Sequence, residues 1–133
     1  MTKQLLFFIP LLALLAACDG NTDTIFEVEN ETSDTLYFKW IGIRYDTSLV
    51  ESEMILPNST HTVLYESTLG GRKEVPAISE YMGNPYLTNA AGDTAQLDLA
   101  NAAVWQITSA HRRKVPSNWQ HRYRLNVTAD DFD

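Results

Sequence analysis

From Thr24 to Thr128 apolar and polar residues alternate in short runs broken by turn residues, a period of two that predicts strands. Thr24-Ile25-Phe26-Glu27-Val28-Glu29 sets Phe26 and Val28 on one face and stops at the polar cluster 30–34. Residues 35–45 carry Leu36, Phe38 and Trp40 on one face and Tyr37, Ile41 and Ile43 on the other. Two apolar faces predict a central strand. Asp46-Thr47-Ser48 turns the chain into a segment at 49–56, and Pro57-Asn58-Ser59 turns it again into 60–66. After a loop at 69–73, residues 76–83 predict one or two helical turns, with Pro76 in the first turn and Gly83 past the end. Residues 86–89 and 94–99 read as a hairpin around Ala91-Gly92-Asp93. Leu97, Ala100, Val104 and Trp105 also fit helical spacing, which leaves 94–104 open between strand and helix. A strand at 105–109, a basic loop at 110–118 and a strand at 119–128 complete the chain. In the last strand His121, Tyr123, Leu125 and Val127 face one way, and Arg122, Arg124 and Asn126 the other.

About eight short strands with little helix predict an all-β fold, an antiparallel β-sandwich with immunoglobulin-like topology; a small β-barrel is the alternative. Trp40 and Trp105 belong in its core, and Trp119, following Pro116-Ser117-Asn118, at its surface. Residues 24–133 suffice for one domain and not for two.

Residues 1–17 stand outside this pattern. Lys3 precedes an uncharged apolar run from Leu5 to Ala17, which has the flanks of a secretory signal and is too short to span a bilayer. The run ends at Cys18, the only cysteine, so the exported domain has no internal disulfide and its stability must come from burial. Leu15-Ala16-Ala17-Cys18 resembles the lipobox of bacterial lipoproteins, and the strand rhythm beyond it resembles small all-β envelope lipoproteins of diderm bacteria. The resemblance implies a signal peptide at 1–17, lipidation of Cys18 with acyl chains such as palmitate, a short tether through residue 23, and attachment to a bacterial membrane. The outer membrane is favoured over the inner. It brings no catalytic residues with it.

Charge narrows the function. With residues 1–17 removed, nine Lys and Arg stand against seventeen Asp and Glu. This argues against nucleic acid as a partner and against a domain lying flat on anionic lipid. Yet residues 101–129 hold five cations and no acid. Glu27 and Glu29 near the start match Arg122 and Arg124 near the end, a spacing that neighbouring strands would turn into cross-strand ion pairs. His111, Arg112, Arg113 and Lys114, with Trp119 close by, have no such local match and form the candidate binding surface for an envelope protein or an anionic glycan.

Signs of chemistry are few. The sequence has no nucleophile elbow, phosphate-binding glycine loop or H-E-x-x-H pair, and its three histidines lack ligand spacing, so neither an enzyme nor a metal or other cofactor is expected. Asp23-Thr24-Ile25, Asp34-Thr35-Leu36 and Asp93-Thr94-Ala95 resemble O-glycosylation acceptors of exported proteins, though Asp-Thr also simply begins strands after turns. The expected function is binding or a structural accessory role in the cell envelope. The alternatives are an immunity or inhibitor protein against a secreted toxin or lytic enzyme, and a hydrolase whose site the sequence hides.

Overall fold

A computed structural model describes residues 19–43 and 49–132. Cys18 and the segment before it that was expected to be a signal peptide, the end of the strand expected to reach Tyr45 and the turn at Asp46-Thr47-Ser48 lie outside the described residues. Among the described residues the strands are β1 (Asn21–Asn30), β2 (Leu36–Gly42), β3 (Val50–Ile55), β4 (Ser59–Leu69), β5 (Met82–Asn89), β6 (Gln106–Arg113) and β7 (Asn118–Val127). They form a four-stranded sheet, β4-β1-β7-β6, and a three-stranded sheet, β3-β2-β5, packed as a sandwich and not closed as a barrel. β2 is central in its sheet, as its two apolar faces predicted.

The strand order departs from the immunoglobulin arrangement, which puts the first strand at a sheet edge. Here β1 lies inside its sheet, antiparallel to β4 and parallel to β7. The parallel register sets Glu27 opposite Arg124. Arg122 pairs with Glu27, and Arg124 lies 3.7 Å from Glu27 and 4.0 Å from Glu29. The charge match between the chain ends is thus satisfied by neighbouring strands, on the outer face of the sheet.

Three predicted elements change. The helical turns expected at 76–83 shrink to a 3-10 turn, Ile78–Glu80, held by the Ala77 N–H donating to Glu80 Oε1 at 2.9 Å, and β5 starts at Met82 rather than Tyr86. Residues 94–99 make neither strand nor α-helix: a single bridge, Thr88 with Thr94, joins them to β5, and the Gln96 N–H donates to the Asp131 carbonyl at 2.7 Å. Asp98 and Asn101 accept from the Ala100 and Ala103 N–H groups instead, and such local bonds compete with a ladder. Leu99 is buried all the same, and its carbonyl accepts from the Trp105 indole at 3.0 Å. Finally, the basic segment expected as a loop from residue 110 continues β6 through Arg113, which confines the turn to residues 114–117.

The core is an aromatic cluster joining the sheets. Phe26 stacks on Tyr123 at 4.3 Å and meets Trp105 edge-on at 5.5 Å, while Phe38 contacts Trp40 at 5.7 Å. Trp40 and Trp105 are buried as expected. In β7 His121, Tyr123, Leu125 and Val127 are all buried, whereas Arg124 and Asn126 are exposed, so the predicted register holds.

The Tyr123 hydroxyl donates to the Pro76 carbonyl, and burial raises its pKa above the ordinary 10.0. A folded pKa above the unfolded one gives a stabilising contribution that is complete below about pH 10 and fades as pH rises past it. Tyr123→Phe should therefore cost about 1–3 kcal/mol at neutral pH, through the orphaned carbonyl, and should flatten the loss of stability on alkaline titration. Denaturant unfolding from pH 7 upward checks both, and equal alkaline slopes in the two proteins would rule out linkage through this hydroxyl.

Candidate functional site: a basic hairpin end and an edge cleft

The residues singled out by their charge converge at one end of the sandwich. Antiparallel pairing of β6 with β7 sets His111 opposite Trp119, and their rings stack at 4.4 Å with planes 6° apart. Trp119 continues the stack towards the buried His121 ring, 6.3 Å away. His121 Nε2 donates to the Arg72 carbonyl at 2.8 Å, which leaves Nδ1 to accept from the Ser109 hydroxyl at 2.7 Å. Trp119 is half-buried, with its ring stacked on His111 beside the exposed cations. Arg112 donates to the Gln120 side chain, and Arg113 and Lys114 are exposed.

The start of the fold sits at the same end. A Cβ on Gly20 would come within 1.7 Å of the Ser117 carbonyl oxygen, and one on Gly71 within 2.0 Å of the same atom. Only glycine allows this approach at either position. The Gly70 N–H donates to the Gly20 carbonyl at 2.7 Å, and the Asn21 N–H donates to Asn118 Oδ1 at 3.0 Å. Residues 20–23 are thus built into the domain, where a tether had been expected to run through residue 23. The Arg72 side chain is engaged elsewhere, with both terminal nitrogens on Glu80 at 2.7 and 3.2 Å.

Sequence reading missed a second surface, a cleft of about 350 Å³ at the open edge between β3 and β4. Trp40, Tyr65 and Tyr81 wall it, and Glu51, Glu53 and Glu66 also line it. Over residues 50–54 the alternation of β3 is reversed, before Ile55 returns to the core opposite Leu36. Glu51 pairs with Trp40 and Glu53 with Phe38, on the core-facing side, while Val50 and Met54 are exposed on the outer face. Glu53 meets His61 at 3.1 Å. The signal was present in Val50-Glu51-Ser52-Glu53-Met54, but alternation alone cannot say which of two faces is inward. Among the described residues no three His, Cys, Asp or Glu side chains converge closely enough for a metal ion. The cleft carboxylates are spread around a cavity, not gathered on a point.

Of the three Asp-Thr positions, Thr24 is buried with its hydroxyl 2.9 Å from that of Tyr81, Thr35 is half-buried ahead of β2, and Thr94 is exposed. No helix among the described residues is long and apolar enough to cross a membrane. Comparison with known protein families, with curated proteins and with solved structures finds no match to this chain.

Proposed function

We propose that this is a lipid-anchored cell-envelope protein, held to its membrane through Cys18, that works by binding a ligand in the cleft between β3 and β4. The observation that carries the reading is the reversed alternation of β3, which aims Glu51 and Glu53 at the side occupied by Trp40 and Phe38. Carboxylates in place of core residues on an edge strand also guard against edge-to-edge pairing. A guard needs no cavity, and these border one with three aromatic walls. Ionised carboxylates only accept hydrogen bonds, and aromatic faces attract cations, so the ligand that fits is an organic cation such as an alkylammonium or guanidinium group.

The test is titration of the protein with hexylammonium and with hexanol, following the Trp40 indole N–H resonance. The cation should shift it saturably, with hexanol at least tenfold weaker. Replacing Glu51 and Glu53 by glutamine should remove the preference without unfolding the protein. Equal responses to ammonium and alcohol would show that the carboxylates serve only as edge protection.

A further inference from the structure

We infer that the end of the sandwich formed by the β6–β7 turn and the loop at residues 69–73 docks on anionic lipid headgroups, so that the protein stands on this end at the membrane. The inference rests on the Cys18 anchor proposed above and adds the surface that meets the bilayer. Gly20 is locked between Gly70 and Ser117, which leaves Asp19 alone between the folded domain and the lipidated residue. Two residues span at most about 7 Å, less than the Debye length of about 8 Å at physiological ionic strength. Charges beside Gly20 therefore lie within one Debye length of the headgroups, where their attraction is weakened by salt but not abolished.

The side chains at this end suit such a surface. Leu69 and Val115 are the two most exposed large hydrophobic residues among those described, at 90% and 76%, and they lie on the two segments that flank Gly20. Arg113, Lys114 and Lys73 are exposed around them. Arg72 is already paired with Glu80, and Arg112 is tied to Gln120, so these two contribute less. Asp19 and Glu74 are the exposed acids in these segments and oppose the effect in part. Cations ringing protruding aliphatic side chains match a lipid interface, where the charges meet phosphates and the aliphatic groups reach the acyl boundary. The acidic remainder of the domain is repelled by the same surface. A negatively charged body with a cationic tip is thereby held upright, which agrees with a net charge unsuited to lying flat.

The test uses the lipidated protein in vesicles of phosphatidylcholine with or without phosphatidylglycerol. The thiol of Cys18 is consumed by its lipid, so Val115→Cys or, in a second protein, Met54→Cys supplies a single site for a spin label. In phosphatidylglycerol vesicles the label at 115 should be at least threefold less accessible than that at 54 to a neutral water-soluble relaxation agent. Arg112→Glu, Arg113→Glu and Lys114→Glu together, or vesicles of phosphatidylcholine alone, should narrow the difference while the protein still floats with the vesicles. Flotation reports the anchor separately. A protein that floats with both labels equally accessible overturns this docking and leaves the anchor standing, whereas one that fails to float overturns the anchor and the docking with it.

Discussion

Phe26→Ala should lower the free energy of unfolding by about 3–5 kcal/mol, the largest single-residue loss expected in the described fold. Phe26 is fully buried in the interior strand β1 and touches Tyr81, Trp105 and Tyr123, which come from three separate segments. Its removal forfeits transfer free energy and opens a cavity. It also breaks the stacked pair with Tyr123, and aromatic pairs contribute about 0.5–1.5 kcal/mol beyond their area. A sandwich with no disulfide has no covalent constraint to offset that loss. Asn126→Ala, at an exposed position of β7, should fall within about 0.5 kcal/mol of the wild type. Chemical denaturation of the two variants checks the contrast, and similar losses would mean that the inward face of the four-stranded sheet is misassigned.

With the proposed anchor, Cys18→Ala should abolish lipidation and move the protein out of the membrane fraction, because the Cys18 thiol would be the acceptor of the lipid and the sequence has no other cysteine to replace it. The expected effect is all or none. A single acyl chain binds a bilayer marginally and reversibly, whereas the diacylglyceryl and N-acyl groups implied by the lipobox resemblance would anchor a protein there stably. Metabolic labelling with a fatty-acid analogue reads it directly, and equal label in the wild type and the variant would end the anchor reading. The cationic end alone should not retain the unlipidated protein at physiological salt, since a few exposed cations are screened and the rest of the domain is acidic.

Much of the architecture was legible from alternation, for a physical reason. A strand half-buried in a sandwich must put every second side chain into the core, so His121, Tyr123, Leu125 and Val127 declared their face, as did Leu36, Phe38 and Trp40. Turn residues cut these runs near their true ends. The complementary charges of β1 and β7 likewise foretold that the two strands are neighbours.

Direction and partner order were not legible, because side-chain period is the same in parallel and antiparallel pairs and says nothing of who lies beside whom. Only the tertiary structure put β1 inside its sheet and parallel to β7. It also decided residues 94–104, where local bonds from Asp98 and Asn101 outweigh any periodicity, and it set Glu51 and Glu53 on the core side of an edge strand. The approach of Gly20 to Ser117, nearly a hundred residues away in the chain, is of the same kind. By itself the sequence determined the two-residue period, the membership of the core and the cationic cluster, all of which are local properties of composition and spacing. The strand order, the cleft and the meeting of that cluster with the start of the fold depend on long-range packing, and only the folded chain could decide them.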